Sequence, residues 1–404
     1  MKKLFHRNLI LAIAQTLEKV FKYNQYADRA LEELFAKNKQ WGSRDRAFIA
    51  ENFYDMVRWW RLICFCADTD YSNPNQNYFQ LVGVWFLLQN KELPSWDEWK
   101  TLCPSLIAQK KQQAQNILAV RFSMPDWLFE RGLSELQQRW LVELESLNQI
   151  APLVIRANLL KTSLEQLFDY FKSQNIDYQL IQGCPEAILI LRRQNLFRLE
   201  GFQKGWFEIQ DASSQRVAHL LSPQSGMRIV DACAGGGGKT LHIAALMKNK
   251  GSIIALDVEE HKLQNLKKRA KRAGVSIIET RLIRSFKIIK RLYNTADRLL
   301  LDVPCSGTGV LRRNPDAKWK LQPSFLENLQ KTQQEILQKY SPIVKSGGKM
   351  VYATCSILPS ENEKQIQTFL HTQQGKFFTL QEEISISPAQ SGFDGFYMAL
   401  LAKN

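Results

Sequence analysis

Two cysteine-bearing turns and one run of glycines carry most of the chemical potential of this 404-residue sequence. One turn reads Leu301-Asp302-Val303-Pro304-Cys305-Ser306-Gly307-Thr308-Gly309 and the other Val351-Tyr352-Ala353-Thr354-Cys355-Ser356, each following an apolar, strand-like stretch. Most cysteines are small buried hydrophobes, and that reading suffices for Cys64, Cys66, Cys103 and Cys184. It is poor for Cys305 and Cys355, which sit in polar turns beside a carboxylate or a hydroxyl, where a thiol is a candidate nucleophile. Cys233, inside the glycine run, stays open. No C-x-x-C pair exists and the five histidines are scattered along the chain, so no metal site is expected.

The glycine run is Asp231-Ala232-Cys233-Ala234-Gly235-Gly236-Gly237-Gly238-Lys239-Thr240, after the strand-like Met227 to Asp231 and before a helical stretch. Glycines there let the backbone turn tightly and approach a ligand. Two readings compete. Gly238-Lys239-Thr240 matches the end of a P-loop, with Leu299-Leu300-Leu301-Asp302 as an imitation of its second strand, but the first P-loop glycine would fall on Cys233. The alternative is an S-adenosylmethionine site, which needs an acid at the end of the next strand for the ribose hydroxyls. Ser252 to Leu256 is such a strand and ends in Asp257.

A thiol beside a methyl donor suits methylation at carbon 5 of a pyrimidine. That carbon is not nucleophilic until a thiolate adds to carbon 6 and makes an enamine. A carboxyl group near ring nitrogen 3 stabilises the developing charge, and a base then removes the carbon 5 proton. Asp302 and one of the two cysteines supply these parts; spacing alone does not choose between them.

The elements that must position these residues alternate from residue 226 onward. Strands are expected over 227–232, 252–257, 275–280, 297–303 and 348–354, with helices over 239–249, 259–273 and 324–345, and two further strands over 376–380 and 396–402. This is the pattern of a doubly wound α/β sheet, whose ligands bind beyond the carboxyl ends of the strands. Residues 146–225 read as a small α+β module, with strands at 152–157 and 186–191 and Ser163 capping a helix from Leu164 to Gln174. It could be RNA-recognition-like, although no aromatic signature of such modules is visible. Residues 1–145 read as all-helical. Arg44 to Leu62 is expected as one amphipathic helix with Phe48, Phe53, Met56 and Trp60 on its inner face. Residues 81–88 are too short to span a bilayer and read as a buried helix.

Composition is ordinary for a globular chain, but the charge is not: 54 Lys and Arg against 39 Asp and Glu leave +15, which favours polyanionic partners. Basic residues such as Arg44 and Arg46, interleaved with Trp41, Trp59 and Trp60, suggest RNA contact, against the plainer reading of a solvated helix face. Met1-Lys2-Lys3 before Leu9 to Ala14 lacks the length and cleavage site of a secretory signal. Seven cysteines without a disulfide framework fit a reducing cytoplasm. The expectation is a cytoplasmic monomer that does not touch membranes.

At these motifs the chain resembles the RNA 5-methylcytosine methyltransferase family, of the bacterial ribosomal RsmB and eukaryotic nucleolar type. The matching runs are Gln210-Asp211-Ala212-Ser213-Ser214, the glycine loop, Asp302-Val303-Pro304-Cys305-Ser306, Arg312-Arg313-Asn314-Pro315-Asp316, Tyr352-Ala353-Thr354-Cys355-Ser356 with Glu361-Asn362-Glu363, and Asp394-Gly395-Phe396-Tyr397. The likeness spans roughly residues 146–404. It implies a Rossmann-like domain with a mostly parallel seven-stranded sheet over 226–404, after the α+β module of 146–225. It also implies an S-adenosylmethionine cofactor held by Asp231, Cys233, Ala234, Gly235, Gly236, Gly237, Gly238, Lys239, Asp257 and Asp302. By the family's pattern Cys355 is the nucleophile, Cys305 helps release the methylated base, Asp302 meets the cytosine edge and Lys239 lies near the reacting centre. The helical part, around Arg44 to Ile49, is similar to a NusB-like RNA-binding domain, which points to small-subunit ribosomal RNA rather than transfer RNA. A transfer RNA cytosine-5 methyltransferase and a non-catalytic RNA-binding assembly factor are the alternatives.

Two departures stand out. Gly235-Gly236 replaces the family's Ala-Pro in the loop. The third strand, around Ile278-Glu279-Thr280-Arg281-Leu282-Ile283-Arg284-Ser285, lacks the usual Asp near the cofactor adenine, leaving Glu279 or Ser285 as substitutes or the contact unfilled. Residues 262–291 hold eleven Lys and Arg against Glu279 alone, a basic stretch or a solvated face. Arg312 and Arg313, on the same loop as Cys305, are expected near the site and in contact with RNA.

Overall fold

A computed structural model describes residues 6–404; Met1-Lys2-Lys3 lies outside them. The chain divides into two compact units: the described residues to Gln149 together with Leu311–Pro323, and Ile150–Val310 together with Ser324–Asn404.

The first unit is all-helical. Its core gathers Ile10, Ile13, Leu17, Phe53, Met56, Trp60, Val82 and Phe86, and the apolar residues 81–88 lie in the buried helix Tyr78–Leu88. The expected single helix from Arg44 to Leu62 is instead two, Ser43–Arg58 and Trp60–Cys66, broken at Trp59. A break orphans carbonyls on one side and N–H groups on the other. The inserted segment satisfies the carbonyls: Lys318 Nζ donates to Arg58 O at 2.8 Å and Trp319 Nε1 to Val57 O at 2.7 Å. Ser123 Oγ accepts from Arg61 N at 3.0 Å. Such distant partners leave no periodicity signal in the sequence. Among the described residues no helix is long and apolar enough to cross a membrane.

The second unit holds two sheets. Strands β1 (Leu153–Ala157), β2 (Tyr178–Leu180), β3 (Ala187–Ile190) and β4 (Phe207–Ile209) form an antiparallel sheet in the order β2-β3-β1-β4. The helix Leu164–Ser173 packs on it through Leu167 and Phe171, behind a capping box of Ser163 and Gln166. Strands β2 and β4, three residues each, are too short to show alternation and were not expected.

The larger sheet contains β5 (Arg228–Asp231), β6 (Ser252–Asp257), β7 (Ile278–Leu282), β8 (Ala296–Asp302), β9 (Val344–Thr354), β10 (Phe378–Ile386) and β11 (Phe396–Lys403), in the order β10-β11-β9-β8-β5-β6-β7. Strands β5 to β9 pair in parallel, while β11 runs antiparallel between β9 and β10. This is the Rossmann-like arrangement expected. The near-continuous apolar runs Ile253 to Leu256 and Leu299 to Leu301 are buried, as strands covered on both faces require. Strand β7 begins and ends later than the sequence suggested, which matters for the cofactor site.

Candidate active site

Asp231, Asp257, Asp302 and Thr354 end four parallel strands at the same edge of the sheet, the edge where ligands of such folds bind. The loop after β5 folds as its glycines demand. Gly235 and Gly237 have φ of 53° and 86°, left-handed values that cost other residues strain, and a Cβ on Gly237 would lie 2.6 Å from Leu266 Cγ. Asp257 draws the loop in: one carboxylate oxygen accepts from Gly235 N at 2.9 Å and the other from Glu259 N at 2.8 Å. Asp231 is buried and accepts from Thr240 Oγ1 at 2.7 Å. Burial pushes its pKa up to about 7 in spite of that bond.

Lys239, on the helix Gly238–Leu246, donates to Asp302 Oδ2 at 2.6 Å. Burial opposes its charge, but the Asp302 carboxylate and the nearby Cys355 sulfur raise its pKa above the ordinary lysine value. The lysine therefore faces an acid rather than an open phosphate cradle. Together with Cys233 in place of the first glycine, this disfavours the P-loop reading.

Cys305 Sγ and Cys355 Sγ lie 3.4 Å apart. The contact with Cys355, reinforced by burial, pushes the Cys305 thiol well up, so it holds its proton. A buried network fixes the two turns. Glu361 accepts from Ser306 N at 2.8 Å, Ser306 Oγ at 2.5 Å and Gln333 Nε2 at 3.0 Å. Asn362 bridges Thr354 Oγ1 and the Ser356 carbonyl, and Thr308 Oγ1 meets Ser356 Oγ at 2.9 Å. Gly309 N donates to Cys355 O, and a Cβ there would strike Gly395 O at 2.3 Å. The sequence offers Glu361-Asn362 without a role and Thr308 only as part of its turn, whereas Gln333 gives no signal because its partners Pro304 and Glu361 are remote in sequence.

Comparison with known proteins decides the family. Residues 218–402 match the family model described as 16S rRNA methyltransferase RsmB/F, and residues 124–196 match the ferredoxin-like domain of RsmF/B-like methyltransferases. The chain is 30% identical to ribosomal RNA small subunit methyltransferase B of Citrobacter koseri, over 98% of this chain and 99% of the relative. It is 36% identical to the protein of the same name from Proteus mirabilis, over 74% and 71%. The chain belongs to the RsmB/F methyltransferase family. Among solved structures, PH0851 matches with a TM-score of 0.82 at 25% identity and covers 100% of both chains. A methyltransferase homolog from Pyrococcus horikoshii gives 0.64 at 25% identity, over 71% and 98%.

RsmB/F-type enzymes use S-adenosylmethionine, and the residues here fit it. Each Asp257 oxygen keeps acceptor capacity for a ribose hydroxyl after its one backbone bond. A Cβ on Gly235 or Gly238 would meet nothing within 4 Å, so there is open space before the loop. The adenine side corrects one sequence expectation. Because β7 runs from Ile278 to Leu282, Glu279 sits near its start, three residues before the carboxyl end where the ligand binds, and pairs with Arg281 at 2.6 Å; that position does not suit it as a substitute for the family's Asp. Ile283 N reaches the Asp257 carbonyl at 2.8 Å, while Ser285 is exposed.

Other expectations need correction. Arg312 is buried within the helical unit, its carbonyl accepting from Arg58 Nη2 at 3.0 Å; it is a packing residue there, not an exposed RNA contact, and Arg313 is partly buried. Arg46 is spent on the carbonyls of Trp41, Phe35 and Asn38, whereas Arg44 is exposed. Cys103 is exposed rather than buried, and its bond with Ser105 lowers its pKa. The histidines are not all scattered: His219, His242 and Glu186 converge.

Proposed function

We propose that this chain methylates carbon 5 of a cytosine in small-subunit ribosomal RNA through a covalent cysteine–cytosine adduct. The observation that carries this reading is the pair of thiols 3.4 Å apart at the same sheet edge as the Lys239–Asp302 pair. S-adenosylmethionine, when bound, supplies a methyl group activated on a sulfonium.

The protein's own residues do the rest. Asp257 and the loop Ala234 to Gly238 hold the cofactor. Asp302, held by Lys239, faces the ring nitrogen 3 edge; a proton passed from the Lys239 ammonium through the Asp302 carboxyl neutralises the electron pair displaced there and returns when the double bond re-forms. The Cys355 thiolate bonds to carbon 6 and so makes carbon 5 nucleophilic. After methyl transfer a base takes the carbon 5 proton, carbon 6 expels the Cys355 thiolate and the double bond re-forms. Cys305 serves this release. The assignment of Cys355 over Cys305 follows the family pattern; the geometry brings both to one point.

The target base must leave its stack to reach such a site. RNA backbone contacts are assigned to Arg44 on the helical, NusB-like unit and to the basic face of the helix Glu260–Ala273 with the residues after it. Of the eleven cations in 262–291, Lys262, Arg269, Arg272 and Arg281 pair with acids, while Lys267, Lys268, Lys271, Arg284, Lys287, Lys290 and Arg291 are exposed. We place the protein in the cytoplasm as a monomer acting on RNA. Bisulfite sequencing of total RNA from a strain lacking the gene tests the reading. Loss of one 5-methylcytosine signal in small-subunit rRNA is expected; an unchanged map would overturn it, and loss from transfer RNA alone would reassign the substrate.

A further inference from the structure

Two histidines converge on one carboxylate away from the methyl-transfer site. Glu186 immediately precedes β3, His219 lies on the helix Ala212–Leu221, and His242 on the helix Gly238–Leu246. One ligand atom from each lies within 4.8 Å of the other two. His219 Nε2 is 2.8 Å from Glu186 Oε2. His242 Nε2 is 3.8 Å from the same oxygen, too far for a hydrogen bond. The two rings meet edge to face with centroids 5.0 Å apart.

His242 is the decisive residue. It is 1% exposed, and neither ring nitrogen has a hydrogen-bond partner. Leaving a buried polar group unsatisfied costs on the order of 1–3 kcal/mol, so an imidazole held this way asks for a partner that the protein does not supply. Imidazole and carboxylate together are the donor set of zinc and neighbouring transition metals, not of calcium or magnesium.

We propose that Glu186, His219 and His242 bind a divalent transition-metal ion, with Zn2+ the first candidate. The ion takes the place of the His219–Glu186 hydrogen bond and satisfies the stranded His242. Three protein ligands leave a fourth tetrahedral position for water, on the side of His219, whose side chain is 35% exposed and gives the entry path. The site would staple the start of β3 to two helices, one of which begins at Gly238-Lys239. Its function is therefore structural, holding the ferredoxin-like sheet against the elements that carry the glycine loop. Arg156, buried and bonded to Gln210 at 2.8 Å, is the nearby positive charge acting on His242. Its charge opposes a second cation at the site.

The test strips the full-length protein with EDTA and titrates zinc sulfate by calorimetry, with thermal unfolding followed in parallel. The wild type should bind one ion at this site and unfold at a higher temperature with zinc, since a ligand specific to the folded state stabilises it. His219→Asn, at a part-exposed position, and the near-isosteric Glu186→Gln should each weaken binding about 100-fold, by analogy with losses seen on disturbing metal ligation, and abolish the thermal gain. Cobalt(II) should give d–d bands without a thiolate charge-transfer band. No binding by the wild type, equal binding by both variants, or a thiolate band placing the ion on Cys305 and Cys355 would each overturn the proposal.

Discussion

At the scale of single residues the site brings two thiols to one point. Cys305 and Cys355 are 3.4 Å apart, and the Cys305 proton is held by its neighbour and by burial. If Cys355 attacks and Cys305 serves release, Cys305→Ala should accumulate a protein–RNA adduct that survives denaturing electrophoresis, and Cys355→Ala should not. The reverse pattern would exchange the roles. Asp231 gives a second expectation. Its folded pKa of about 7 is raised above the ordinary carboxyl value by burial, so the native state binds the proton more tightly than the unfolded chain. The stability this contributes is complete below the unfolded pKa and is lost as pH rises through about 7. The slope cannot exceed about 1.4 kcal/mol per pH unit for one proton. Urea unfolding of wild type and Asp231→Asn between these limits should show the wild type losing stability relative to the variant as pH rises. Parallel curves would mean that Asp231 is ionised throughout.

Elements account for what was legible in the sequence and what was not. Strands such as Ile253 to Leu256 and Leu299 to Leu301 announced themselves because burial on both faces makes them continuously apolar, and the strand-end acids Asp231, Asp257 and Asp302 followed from that placement. Contacts between elements were invisible. The break at Trp59 depends on Lys318 and Trp319, hundreds of residues away, and their segment carries Arg312 into the helical core. The glycine loop shows the same principle. Gly236 stands where the family has proline, so the chain lacks that local brace, but Arg269 Nη1 donates to Gly236 O at 2.6 Å while its Nη2 holds Glu208 of β4 at 2.9 Å. One side chain thus ties the loop to the neighbouring sheet. Arg269→Lys keeps a charge for Glu208 but cannot span both partners. Losing one such bond, about 1–1.5 kcal/mol, should raise the S-adenosylmethionine Kd by about tenfold in calorimetry, with little change in unfolding temperature. An unchanged Kd would show that the loop holds its shape without the brace.

For the whole molecule, the surplus of +15 is unevenly spread. Residues 1–140 carry 19 Lys and Arg against 15 Asp and Glu, and residues 141–404 the remaining 35 against 24. Most of the attraction for a polyanion therefore resides with the methyltransferase half. The structure narrows which charges are available, because Arg269 and Arg272 are committed to Glu208 while Lys267, Lys268 and Lys271 project from the same helix into solvent. Each phosphate contact contributes about 0.7–0.9 to the slope of log affinity against log salt. Replacing the three exposed lysines by glutamine should therefore lower that slope by about 2, raise the KM for RNA and leave S-adenosylmethionine binding unchanged, because none of the three touches the glycine loop. An unaltered slope would make this helix a solvated face and move the RNA path to the exposed residues from Arg284 to Arg291, where the same substitution and the same salt titration can follow it.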